Sequence, residues 1–161
     1  MSDQEQIRAL WTEIRQLQRG IEKLSTSLEV DPTIGCRVYN NTTTSLPHNT
    51  LVVVNFNAER YDTYNMHDNS TNPQYISFSF PGIYNIGGQL CYQANGVGQR
   101  YLRVYHWRSS VQRLIVNDLR NNAGSGWQTY INASANFYCE AGDLAWLAAL
   151  LRQTNRIFGQ P

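Results

Sequence analysis

The sequence predicts a mainly β protein, an antiparallel jelly-roll sandwich behind one N-terminal coiled-coil helix. Three observations carry that prediction. Near the start, apolar residues recur in alternating steps of three and four. Beyond Cys36 the period falls to two, and β-branched and aromatic residues take over. Turn chemistry then recurs at short intervals, and no apolar pattern of helical length intervenes.

The helical seam is Ile7, Leu10, Ile14, Leu17, Ile21, Leu24 and Leu28, which fall at heptad positions a and d. Ser2 followed by Glu5 reads as a capping box, and Asp31-Pro32 stops the helix because proline cannot continue it. The chain therefore divides into a helix over 1–31, a linker over 32–35 and a β head over 36–161. A seam confined to a and d is narrower than the face of a helix packed on its own domain, so the helix is expected to meet copies of itself. Ile at a with Leu at d favours parallel dimers. Positions e and g hold Trp11, Glu13, Gln18, Gly20, Ser25 and Ser27, with almost no charge pairs to enforce two strands. The heptads alone leave dimer and trimer open.

Strands are predicted over Arg37 to Tyr39, Leu51 to Phe56, Tyr75 to Phe80, Ile83 to Gln93, Gln99 to Trp107, Val111 to Leu119, Gln128 to Tyr138 and Leu144 to Leu151. Pro81-Gly82, the run from Asn95 to Gly98, the run from Asn121 to Gly126, and Ala141-Gly142-Asp143 separate them. Alternation along Gln99 to Trp107 puts Leu102, Val104 and His106 on one face and Tyr101, Arg103, Tyr105 and Trp107 on the other. The first set suits a sandwich core. The second is of the Tyr, Trp and Arg type enriched where proteins meet, and it is the candidate interface between heads.

Composition excludes several functions. Only 16% of the 161 residues are charged, against roughly 25% in an ordinary chain, so Asn, Gln, Ser, Thr and Tyr supply the polar surface. A net charge of +1 makes no electrostatic case for nucleic acid. Cys36, Cys91 and Cys139 lie far apart, with neither a disulfide framework nor zinc-ligand spacing. The start, Met1-Ser2-Asp3-Gln4-Glu5, lacks the basic and apolar regions of a signal peptide, and no run of 18 apolar residues predicts membrane insertion. The densest titratable cluster, Glu59, Asp62, His67 and Asp68, is read as a loop scaffold, not as an acid/base pair or a calcium loop. No nucleophile elbow, phosphate loop or dinucleotide fingerprint occurs. No catalytic residue, metal or cofactor is predicted, and the protein is not expected to be an enzyme.

The segment from Ser45 to Pro73 resembles the front half of bacterial and phage-encoded C1q-like domains. It carries Leu46-Pro47, Asn55-Phe56, Glu59-Arg60-Tyr61-Asp62-Thr63, Met66-His67 and Asn72-Pro73 in order. Gly82-Ile83-Tyr84-Asn85-Ile86 is similar to that family's G-x-Y-x-I strand, and Ala141-Gly142-Asp143 to the A-G-D before its penultimate strand. The resemblance spans roughly residues 36 to 151. It implies a ten-strand jelly roll of the C1q and tumour-necrosis-factor kind, packed as a homotrimer. Two departures stand out. After Leu151 only a short apolar pair, Ile157-Phe158, is offered for a closing strand, and no Gly-X-Y collagen stalk precedes the head.

The expected role follows. The chain reads as a phage virion structural protein, a trimeric capsid-decoration, head-fibre, tail-fibre or spike component made in the host cytoplasm. Its partners are itself and, through the N-terminal region, other virion proteins. An adhesin head that binds a host-surface glycan through Trp127 and Tyr130 is the alternative. A bacterial surface protein is a further one, and would need an export signal.

Overall fold

The computed structural model describes residues 2–27, 34–121, 124 and 126–152. It divides into a helical unit up to Ile34 and a β unit from Gly35 onward, which are treated separately below.

Helix α1 spans Asp3–Ser27. The Glu5 carboxylate accepts the Ser2 N–H at 2.8 Å, so the acidic half of the predicted capping box forms and satisfies an amide that the helix cannot. Leu28 and the stop at Asp31-Pro32 lie outside the described residues, as does the side chain of Leu24. Among the described residues no helix is long and apolar enough to cross a membrane.

The β unit contains β1 (Cys36–Tyr39), β2 (Leu51–Val53), β3 (Ala58–Asp62), β4 (Ile76–Ser77), β5 (Gly82–Tyr92), β6 (Gln99–Arg108), β7 (Val111–Asn121), β8 (Thr129–Cys139) and β9 (Leu144–Arg152). One antiparallel sheet runs β2-β9-β6-β7, and β4 also pairs with β9. Against it stands the long pair β5-β8, registered from Gly82 opposite Cys139 to Tyr92 opposite Thr129. A third pair joins β1 to β3. Alternation does what period-two patterning requires: Leu102, Val104 and His106 of β6, with Ala145, Leu147 and Ala149 of β9, turn inward. Ile86, Tyr92, Ile131 and Cys139 supply the buried face of β5 and β8. Gly88 of β5 lies against Leu147 of β9, where an added Cβ would fall 2.0 Å from Leu147 Cδ1, so glycine leaves the room in which that leucine seats.

Two predicted strands need correction, and one strand was missed. β3 was not foreseen. Its sequence, Ala-Glu-Arg-Tyr-Asp, lacks β-branched residues, yet it pairs with β1 across a bulge between Arg37 and Val38. The strand expected over Tyr75 to Phe80 shrinks to Ile76–Ser77 because loops take the adjoining backbone groups: Ser77 N–H donates to Met66 O at 2.7 Å and Phe78 N–H to Asp143 O at 3.0 Å. The strand expected over Leu51 to Phe56 stops at Val53, where Phe56 N–H turns to Pro73 O at 2.7 Å.

The β6-β7 hairpin closes through Ser109 and Ser110, both left-handed with φ of 49° and 66°. A two-residue hairpin of this hand normally uses Asn-Gly, and the serines bear a Cβ penalty that glycine would not. Ser110→Gly should therefore raise stability by about 0.5–1 kcal/mol in a thermal melt. An unchanged or lower midpoint would show that the turn is not strained.

Candidate functional site

The seam of α1 presents Ile7, Leu10, Ile14, Leu17 and Ile21, which are 41–67% exposed. They line up at a/d spacing as one exposed apolar row along the helix.

The outer face of the β2-β9-β6-β7 sheet is the second apolar surface. Strand register places Leu51, Leu150, Tyr101 and Leu119 in one row across all four strands. Val53, Ala148, Arg103 and Asn117 form the next row, and there Arg103 Nε donates to Asn117 Oδ1 at 3.0 Å while its guanidinium lies 5.3 Å from the Tyr101 ring centre. Tyr101 and Arg103 are half-buried and Trp107 is exposed. Tyr105 is different. It is 7% exposed and stacks on Trp146 with ring centres 5.6 Å apart, while Tyr75 packs edge-on against the same tryptophan. Of the four candidate interface residues, Tyr105 is therefore already taken up inside its own head.

The titratable cluster of the front loop holds backbone in place. Asp62 accepts the amides of Tyr64, Met66 and His67 at 3.3, 2.9 and 2.9 Å. His67 is buried and bridges Glu59 Oε1 at 2.9 Å and Pro73 O at 3.1 Å. Asp68 turns away from that network to cap Ser70 and Thr71, whose hydrogen bonds hold its carboxyl far below the usual carboxylate range.

A second polar cluster was not anticipated as a unit. Asp143 Oδ2 accepts from His106 Nε2 at 2.8 Å and from the Glu140 amide at 2.8 Å. Arg108 Nε donates to both Asp143 oxygens at 3.0 and 2.9 Å, and its Nη2 donates at 2.6 Å. Arg108 further reaches Glu140 Oε1 at 3.1 Å and Tyr138 O at 3.2 Å, so one side chain ties the end of β6 to the β8-β9 turn. The signal was present in Ala141-Gly142-Asp143. Gly142 takes φ +89° and donates its N–H to Phe78 O at 2.8 Å, and the turn so formed aims the Asp143 carboxylate inward.

His106, Cys139 and Asp143 bring three ligand-type atoms within 4.8 Å of one another. The set does not fit a metal ion. Both oxygens of Asp143 already accept from the Arg108 guanidinium, which supplies the countercharge that a dication would bring. Burial, then the Asp143 charge, pushes the Cys139 thiol up to about 11 against the opposing pull of Arg108, leaving it protonated and a poor ligand. Cys36 is pushed further, to about 12, by burial and then by Asp62 and Glu59. Cys91 is exposed on β5.

The outer face of β5-β8 is an uncharged ladder. Asn132 stands opposite Gln89, Ser134 opposite Gly87, and Asn136 opposite Asn85 with an amide–amide bond of 2.9 Å. Tyr130 and Tyr138 flank it, and Tyr130 OH donates to Gln128 Oε1 at 2.8 Å. Trp127, just before β8, is 72% exposed.

Comparison with known proteins adds the fold. No family model matches the sequence, and no curated protein matches it. Among solved structures, the globular domain of the zebrafish complement 1qA protein superposes with a TM-score of 0.56 at 17% identity, covering 78% of this chain and 85% of that one. Murine APRIL, in a crystal structure at pH 5.0, superposes with a TM-score of 0.58 at 11% identity, covering 71% of this chain and 81% of that one. The head has the C1q/TNF-like jelly-roll fold. Within this C1q/TNF-like head, Gly82-Ile83-Tyr84-Asn85-Ile86 opens β5, and Ala141-Gly142-Asp143 forms the turn that leads into β9. The segment considered for a closing strand after Leu151 falls, from residue 153 on, outside the described residues.

Proposed function

We propose that the protein is a non-enzymatic structural component of a phage virion, a homotrimer in which the N-terminal helices form the attachment bundle and the C1q/TNF-like heads face outward. The observation that carries this reading is the exposed seam on α1, five described apolar side chains at a/d spacing joined to a head of a fold built for display. The uncharged, Asn- and Tyr-rich surface of β5-β8 is consistent with a head that works outside the cell. Light scattering at micromolar concentration should give three times 18.4 kDa. A monomer or dimer would refute the trimer. Removing residues 1–30 should leave a folded head that no longer enters particles, and normal incorporation of the shortened chain would refute the attachment role.

Heads are proposed to meet through the outer face of β6, by way of Tyr101, Arg103 and Trp107. Arg103→Glu reverses a charge inside the apolar rows of that sheet, whereas Arg8→Glu changes an exposed b position of the helix. The first should weaken the trimer and the second leave it unchanged, when both are compared by thermal melts at matched concentration. Equal melts would place the β6 face in solvent. A second reading, glycan binding, is favoured by the exposed Trp127 and Tyr130, whose rings can stack on sugar faces. Glycan-array signal that disappears in Trp127→Ala would support it.

A further inference from the structure

The loop between β5 and β6 carries Asn95-Gly96, the only Asn-Gly pair in the sequence. β5 pairs with β8, and β6 with β7 and β9, so this loop passes from one sheet to another and is not a hairpin turn that calls for the pair. Asn95, Gly96 and Val97 are exposed. The Val97 N–H donates to Asn95 Oδ1 at 3.1 Å, an Asx turn that folds the side-chain amide back over the Gly96 peptide.

Both ends of that turn are tied down. Arg100 is buried, and its guanidinium donates to the carbonyls of Gly98, at 3.0 Å, and of Asn95. Gly98 itself is left-handed, with φ +86°, a conformation that glycine adopts without a Cβ penalty. The main chain on either side of Gly96 is therefore fixed to the start of β6, while Asn95 stays open to water.

These contacts fit an intramolecular reaction. Bond formation between the Gly96 nitrogen and Asn95 Cγ closes a five-membered ring, and the hydrogen that Gly96 bears in place of a side chain leaves the approach uncrowded. As the nitrogen adds, negative charge develops on Oδ1, where the Val97 N–H already donates. A donor placed there in advance favours the transition state over the ground state.

We propose that Asn95 is a site of self-modification, converted in the folded chain through a succinimide to aspartate and, chiefly, isoaspartate. The Gly96 nitrogen gives up its proton and bonds to Cγ. The Cγ–Nδ2 bond breaks, and ammonia leaves with that proton. One water then opens the ring. Attack at Cγ gives aspartate, and attack at the former main-chain carbonyl carbon of Asn95 gives isoaspartate. The second carbonyl is the one that accepts from Arg100, which polarises it toward water. Opening there turns the oxygen on Arg100 into part of a carboxylate, so the buried guanidinium gains a countercharge. Either product takes the formal net charge of the chain from +1 to neutral.

The test incubates the intact chain in mildly alkaline buffer made with oxygen-18 water and maps its peptides by mass spectrometry. The peptide holding Asn95 should exchange ammonia for water and carry the heavy oxygen ahead of every other asparagine. Conversion should run faster in the folded chain than in the chain unfolded in guanidinium chloride, and the isoaspartate share should be larger. Gly96→Ala should slow conversion about ten-fold or more, the equivalent of about 1.4 kcal/mol on the barrier. An unlabelled Asn95 peptide, a folded rate at or below the unfolded one, or undiminished conversion in Gly96→Ala overturns the proposal. Equal isoaspartate shares in the folded and unfolded chains overturn the part assigned to Arg100.

Discussion

Replacing Asp143 with alanine is expected to cost the head about 3–5 kcal/mol, the range for a buried ionic cluster stripped of one member. The carboxylate is 4% exposed and is the common acceptor for His106, Arg108 and the Glu140 amide. Without it His106, fully buried and already lacking a partner at Nδ1, loses its remaining side-chain hydrogen bond, and the turn into β9 loses its amide cap. The melting midpoint should fall by on the order of 10–20 °C. Asp143→Asn, which keeps an acceptor oxygen in place, should lose less. A fall of only a degree or two in the alanine variant would show that the cluster is ornamental.

The same carboxylate sets an acid limit. Burial by itself would raise the Asp143 pKa, but hydrogen bonds from Arg108, Glu140 and His106 outweigh it and hold the carboxyl well below the usual range. A group depressed in the folded state contributes fully above its unfolded value, about 3.9 for Asp, and loses that contribution as pH falls toward the folded value. Wild-type stability should therefore decline more steeply than that of Asp143→Ala between about pH 4 and pH 2. Parallel curves in acid melts would contradict the assignment.

Changing Ile14 and Ile21 together to aspartate should open the helical bundle while the heads stay folded. Each substitution places an unpaired charge in the proposed seam, at several kcal/mol per copy, and four heptads have little stability to spare. Circular dichroism should lose helical signal and retain the β signal. A helical signal unchanged from the parent protein would mean that α1 does not pair with its copies.

What could be read in advance follows from how local each determinant is. The long strands β5 to β9 were legible because each is a long alternating or continuously apolar run bounded by turn chemistry. β3 was not, since its charged residues answer to a partner strand in a distant part of the chain, and the serine hairpin hid for a similar reason: its left-handed turn lacks the usual residues. Tyr105 stood correctly on the face opposite Leu102, yet sequence spacing carried no sign that Tyr75 and Trp146 would gather around it. The Asp143 hub was visible only as a short motif. Its donors lie 35 and 37 residues back along the chain, where no periodicity points to them.

The three cysteines differ enough to be chemically addressable one at a time. With Cys36 and Cys139 held as thiols by burial and Cys91 exposed on β5, a maleimide at neutral pH should mark a single position per chain. A gold cluster attached there would mark each head in electron micrographs, and an environment-sensitive dye on the same sulfur would report when that face of β5 is covered.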